Sequence, residues 1–295
     1  MIKKTPTQNA TDRFSMFLQL PSIIVLFLWM IVPLSMTLYF SFMRYNLLYP
    51  EEGGFEGLLN YEFFLTDDAF VPALFNTLLL VGSIIAISIV LGLAIALLLD
   101  RKFFGRGIVR VMLISPFFIM PTVNALIWKN MFMHPVYGMF AHISTFFGFT
   151  PIDWLTDYPL FSLIIILSWQ WTPFALLIFM TSLQSLDREQ KEAALVDGAG
   201  FFATFYYIIL PHLARAIAIV IMIQMIFHLS IFAEIFITTS GGPGHDSTNI
   251  AFMIFTQALL NFDVGIASAG GVFAIILANV IAFFLIKQVG KSLMV

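Results

Sequence analysis

DREQKEAALVDGAGFFATFYYIILP, from Asp187 to Pro211, is a polar interruption between two long apolar runs. Its charged first part gives way to the small residues Ala193, Ala194, Gly198, Ala199 and Gly200. Alanine and straight-chain charged residues favour a helix, and Gly198 and Gly200 end or bend it. A second helical pattern, Phe201 to Ile209, follows, with Pro211 at the boundary of the next apolar run. The stretch reads as helix, glycine turn, helix at a membrane surface, with side chains small enough for another protein to approach the backbone closely.

The composition around it agrees. Of 295 residues, 60% are hydrophobic and 11% charged, and mean hydropathy is +0.96. A soluble domain carries about 25% charge, so most of this fold has lipid as its solvent. The absence of cysteine excludes disulfides, thiol nucleophiles and thiolate-bound metals. The net charge of −3 says nothing about nucleic acid, but the basic residues sit in short clusters flanking the apolar runs, and no nucleic-acid partner is expected.

Apolar runs predict an all-α integral membrane protein, a single domain of six spans at about 17–42, 73–99, 108–128, 160–183, 208–238 and 264–286. The first run exceeds a signal-peptide core and lacks a clear cleavage site, so it reads as a retained helix. Pro116 and Pro121 predict a kink in the third span. Gly82 and Gly92 in the second permit close helix contact. The piece 250–260 is too short to cross. With both termini and the even-numbered loops placed inside, 12 of the 14 Lys and Arg are cytoplasmic, and only Arg44 and Lys129 lie outside. Both ends are therefore expected in the cytoplasm.

Glu192-Ala193-Ala194, three residues, Gly198, nine residues, Ile208, one residue, Leu210-Pro211 resembles the EAA loop of binding-protein-dependent ABC importer permeases. Every fixed position of that pattern is filled. Thr239-Ser240-Gly241-Gly242-Pro243, Ser247-Thr248 and Phe262-Asp263-Val264-Gly265 with Ala267-Ser268-Ala269 look like the sugar group of these permeases, the maltose and glycerol-phosphate types. The runs SWQWTPFALLIFMTSLQSLD and IFAEIFITTSGGPG look most like polyol (mannitol and sorbitol) permeases.

The resemblance implies a type I permease in a bacterial inner membrane. Its expected partners are a second permease in a heterodimer, two ATP-binding cassette ATPase subunits and an extracytoplasmic solute-binding protein. ATP and magnesium would sit on the ATPase, since this chain lacks a Gly-x-x-x-x-Gly-Lys-Ser/Thr phosphate loop. The coupling loop would span 187–207. Within the pattern, Glu192 would anchor the loop, Ala193 and Ala194 would fit the docking cleft, and Gly198 would permit the turn. Asp197, Leu210 and Pro211 complete the set.

A neutral sugar or polyol needs hydrogen-bonding groups beside an apolar face, and polar groups at bilayer depth are expensive enough to be functional candidates. These are Asn76, Trp169, Gln170, Trp171, Gln224, His228, Glu234 and Asn279. Gln224, His228 and Ile231 are expected on one stripe of the fifth span, with Glu234 about three turns beyond Gln224. Helix-to-helix hydrogen bonding is the competing role for each polar residue.

A gradient-driven secondary carrier would need a charged coupling residue at the centre of a span, and none is found there. The five histidines show no metal-ligand spacing, and the spans hold no paired-Asp or Ser-His arrangement for catalysis. A permease with no enzymatic activity of its own is the reading that remains.

Overall fold

The computed structural model describes residues 6–101 and 103–293. Lys3, Lys4 and Lys102, which count toward the expected orientation, lie outside them. The chain begins with α1 (Pro6–Phe40), the hairpin strands β1 (Met43–Arg44) and β2 (Gly54–Phe55), α2 (Leu59–Thr66) and α3 (Phe70–Asp100). Then come α4 (Arg106–Ile114), α5 (Pro121–Ile127), α6 (Met139–Phe146), α7 (Trp154–Asp157) and α8 (Pro159–Gln184). After these follow α9 (Arg188–Val196), α10 (Phe201–Thr204), α11 (Leu210–His228), α12 (Ala233–Thr238), α13 (Ile250–Phe255) and α14 (Val264–Leu293).

Five helical stretches are long and apolar enough to cross a membrane: Leu18–Phe40, Phe70–Asp100, Pro159–Gln184, Phe201–His228 and Val264–Phe284. A bent pair, Arg106–Phe118 with Pro121–Phe132, supplies a sixth crossing when taken as one span. The first helix starts earlier than the apolar run alone predicts, at Pro6.

The third and fifth spans depart from their expected shapes. The third, predicted over 108–128 with a kink, is a true break of 106°. A proline disfavours the helical conformation of the residue before it and lacks an N–H for the helix ladder. Met120, ahead of Pro121, is extended with φ −60° and ψ 140°, and Ile119 with φ −76° and ψ 132°. The fifth span is not a helix over 208–238. It begins at Phe201, runs without a break to His228, and stops there. The wider π turn Phe205–Ile209, closed by the Leu210 N–H on the Phe205 carbonyl, accommodates the Pro211 ring within the rod. After His228 the chain is non-helical until α12, so Ile231 and Glu234 do not continue the stripe of Gln224 and His228.

Contacts divide the chain into two units, and each is described by itself. The first reaches to Leu65 and resumes over Gln257–Phe273. Here Asn60 Nδ2 donates to the Ser41 and Met43 carbonyls at 3.1 and 2.9 Å, and Ser41 Oγ meets the Tyr61 hydroxyl at 2.7 Å. Asp263 caps α14 by accepting the Ile266 N–H at 2.9 Å. A Cβ on Gly265 would lie 2.5 Å from the Met43 carbonyl oxygen, so the Asp263-Val264-Gly265 run is a helix start pressed against the hairpin backbone.

The second unit covers Thr66–Thr256 with the chain from Ala274 on, and α8 is its hub. Two-thirds of the apolar window of α8 is buried (67%), against none of that in Leu18–Phe40 of α1, where most side chains are exposed. Leu80 and Ile84 of α3 pack with Leu163 and Leu167 of α8, and Leu93 and Ala96 with Ala175 and Phe179, so these helices run side by side in one direction. Leu213, Ala216 and Val220 of α11 join the second of these clusters.

α3 and α8 approach closely at Gly92, where a Cβ would stand 2.9 Å from the Ala175 Cβ and 3.1 Å from the Leu176 nitrogen. Gly82, the other small residue of that span, has open space around it. Gly92→Val is therefore expected to cost about 1–3 kcal/mol through forced separation of the helices. It should lower the thermal midpoint in detergent by several degrees, while Gly82→Val leaves it within error. Equal shifts for the two would refute close packing at Gly92.

Candidate functional site

Two breaks in helical spans meet at one cavity. A hollow of about 450 Å³ is lined by Phe117, Ile119 and Pro121 from the third span's break, Gln170, Trp171 and Phe174 from α8, Ile223 and Phe227 from α11, and the run Ser230 to Glu234. That volume falls within the roughly 300–1,000 Å³ of small-molecule sites. Trp171 is its central ring: it meets Phe117 at 5.7 Å, Phe227 at 5.3 Å and His228 at 4.7 Å between centroids.

Glu234 is the only charged residue of that lining and is 4% exposed. Its backbone carbonyl accepts from Thr238 Oγ1 at 2.6 Å, and among the described residues its carboxylate is bonded only by the N–H of its own residue. That single contact leaves most of a buried carboxylate's accepting capacity unused, so something entering the cavity is the expected partner.

Gln170 is already committed. Its Nε2 donates to the Ile119 carbonyl at 2.8 Å, and its Oε1 accepts from Asn124 Nδ2 at 2.8 Å. It bonds the carbonyl that the Pro121 break frees, leaving one N–H and one lone pair for a solute. Gln224 Nε2 donates to the Trp171 carbonyl at 3.2 Å, and His228 Nδ1 donates to the Gln224 carbonyl. Both side chains are fully buried behind Trp171, where Gln224 Oε1 and His228 Nε2 have no hydrogen-bond partner among the described residues.

The remaining candidates lie elsewhere. Asn76 clamps a loop, its Nδ2 donating to the His245 and Thr248 carbonyls at 3.0 Å each. Trp169 packs on Trp128 at 5.7 Å and does not line the cavity. Asn279 is exposed and donates to the Ile275 carbonyl of its own helix. The glycine-rich turn is also structural: Thr248 Oγ1 donates to the Gly241 carbonyl and Ser247 Oγ to that of Gly242, both at 3.0 Å.

Phe117, Phe174, Phe227 and Ser230 belong to the lining, and polarity at bilayer depth did not point to them. Pro116 and Pro121, on either side of Phe117, were the usable signal for one wall; nothing marked the others. Among the described residues no group of His, Asp or Glu could hold a metal ion.

The polar stretch has its own geometry. Asp187 Oδ1 accepts the Glu189 N–H at 3.0 Å and starts α9. At the other end Gly198, φ +76°, forms a Schellman turn in which Gly198 N–H bonds the Leu195 carbonyl and Ala199 N–H that of Ala194. Glu192, Ala193, Asp197 and Gly198 are exposed, and Ala194 is buried within the chain. Leu195 and Val196 stand 67% and 88% exposed, and the pattern of small residues gave no reason to expect them there.

Residues 88–295 match the family described as binding-protein-dependent transport system inner membrane component. A probable ABC transporter permease protein of Sinorhizobium fredii is 35% identical over 85% of this chain and 81% of its own length. A trehalose/maltose transport system permease protein of Thermococcus litoralis is 32% identical over 88% and 87%. In fold, the chain is similar to one in the crystal structure of a bacterial alginate ABC transporter in complex with an alginate pentasaccharide-bound periplasmic protein. The TM-score is 0.79, with 22% identity and 97% of each chain covered.

Proposed function

The chain belongs to the binding-protein-dependent transport system inner membrane components, and on that premise we propose that it is the permease subunit of an ABC importer for a neutral sugar or polyol. It would pass the solute through the cavity around Glu234. The observation that carries this is the buried Glu234 carboxyl, bonded by no other residue, in a hollow walled by aromatic rings. Aromatic faces suit the C–H surface of a carbohydrate, and a carboxylate accepts strong hydrogen bonds from its hydroxyls. Relatives named for trehalose/maltose and for multiple-sugar transport support a carbohydrate. The runs at 168–187 and 231–244 favour a polyol within that class.

The loop at 187–207 would be the coupling element, docking on an ATPase that holds ATP and magnesium, and Glu192, Ala193, Asp197 and Gly198 would face that partner. Ala194 would serve from inside, packing α9 against its own chain. Phe201–His228 is one rod, so a push at the loop would be carried along a single helix to the cavity wall at Phe227. Leu210 and Pro211 lie within that rod. A second permease, two ATPases and an extracytoplasmic binding protein would complete the assembly, with both termini on the ATPase side of a bacterial inner membrane.

Buried Glu234 also suits a gradient-driven carrier, in which it would take up the coupling proton. Purification of the tagged protein in mild detergent from its native membrane separates the two readings. The importer predicts an ATPase at two copies and a second six-span permease in the complex. A stable protein emerging alone would overturn it in favour of the carrier.

A further inference from the structure

Lys129 is one of two basic residues that the orientation reading left on the outer side, and its position in the fold explains it. It sits on the far arm of the bent third span, in the π turn Trp128–Phe132. Its Nζ donates to the Ile237 carbonyl at 2.7 Å and to the Thr238 carbonyl at 3.1 Å. These are the last carbonyls of α12, the short helix that carries Glu234. The chain beyond α12 leaves them to this side chain: Thr239 and Ser240 N–H groups both bond the Ile235 carbonyl instead. A cation at a helix C-terminus gains from the orphan carbonyls and from the helix dipole together.

The other end of the same segment is pinned as well. Asn249 Nδ2 donates to the Ile231 carbonyl at 2.7 Å in a buried position, just ahead of α12. The cavity-lining run Ser230 to Glu234 thus belongs to a segment held by two side chains from distant parts of the sequence. α12 itself spans only Ala233–Thr238, too short to hold its orientation through its own ladder.

We propose that Lys129 is a positioning residue: its ammonium, bonded to the end of α12, sets where Glu234 stands in the cavity and makes α12 move with the far arm of the third span. A widening of the break at Ile119–Met120 would then carry Glu234 outward from Trp171 on α8. The functional meaning rests on the reading of the cavity as the solute site; the mechanical link between Lys129 and α12 does not.

The chain has no cysteine, so thiols placed one at a time report cleanly on it. Glu234→Cys and, elsewhere in the lining on α11, Phe227→Cys are made in the assembled transporter in membrane vesicles, with Lys129 intact, Lys129→Met or Lys129→Arg. The rate of modification by a trimethylammonium-ethyl methanethiosulfonate is read by labelling the thiols left unreacted with a polyethylene-glycol maleimide, which shifts this chain on a gel. Loss of two charge-assisted bonds predicts a change of about tenfold or more at position 234 with Lys129→Met, and less than about twofold at position 227. Lys129→Arg, which keeps the charge and donors, should restore the wild-type rate at 234. Equal changes at both thiols, no change at 234, or failure of arginine to restore it would each overturn the proposal. The solute reading fails separately: if Glu234→Gln leaves uptake intact while the labelling pattern holds, the cavity is not the site and Lys129 still positions α12.

Discussion

Gly198→Asp is expected to leave the protein inserted and folded but to reduce ATP-driven uptake below about a tenth of wild type, as a charge buried without a partner in a docking interface costs several kcal/mol. The effect cannot come from within the chain. Gly198 has φ +76°, and a Cβ there would meet nothing within 4 Å. Aspartate is among the few residues that enter the left-handed region readily, so the turn closing α9 survives at a cost of about 1 kcal/mol or less. What changes is the surface, where Ala193, Asp197 and Gly198 are exposed together with Val196. Gly198→Asn, with the same backbone tolerance and no charge, is expected to retain most activity. Uptake in vesicles, normalised to the amount of this chain and of co-purified ATPase, checks both. Normal uptake by the aspartate variant would end the coupling role of this loop.

Glu234→Gln is expected to lower kcat/KM for uptake by about 10- to 100-fold, the equivalent of one charge-assisted hydrogen bond of roughly 1.5–3 kcal/mol. The same change should leave the thermal midpoint unchanged or raise it. A carboxylate on a residue that is 4% exposed, bonded only by its own N–H, is a burden on the empty fold, and a neutral amide of the same shape relieves it. Loss of transport with undiminished stability is the signature of a group kept for its ligand rather than for packing. Wild-type kinetics in the glutamine variant would remove Glu234 from the solute path. A fall in stability that matched the fall in uptake would make it a structural residue.

Most of the fold was legible because lipid imposes a simple rule on composition. Long apolar runs fall within a few residues of the apolar helical stretches Phe70–Asp100, Pro159–Gln184 and Val264–Phe284. Prolines foretold the break at Ile119–Met120, though not its size, because a proline removes a constraint and leaves the angle to packing. The stop at His228 was invisible. Neither glycine nor proline lies in Leu229 to Phe232, and the side chain that bonds the chain just past the stop, Asn249 on the Ile231 carbonyl, comes from later in the sequence.

The candidate site was legible by half for a related reason. Polarity at bilayer depth selects Gln170, Trp171 and Glu234, but it selects Asn76 and Asn279 equally, and only the fold shows that these bond carbonyls. The aromatic wall could not be read at all. With 34 phenylalanines in the chain, no single one stands out until its neighbours are known.

The bent third span also bears on how the protein is made. Its two arms, Arg106–Phe118 and Pro121–Phe132, are each about 18–20 Å long at 1.5 Å per residue, well short of the ~30 Å of hydrocarbon. Neither arm can be released alone into lipid as a finished crossing. The Ile119 carbonyl between them accepts its bond from Gln170, a residue synthesised about fifty positions later. A nascent chain that has reached only the bend therefore carries an unsatisfied backbone group in an apolar medium. The insertion machinery has to shelter that segment until α8 emerges, so the third and fourth spans enter the bilayer as a pair.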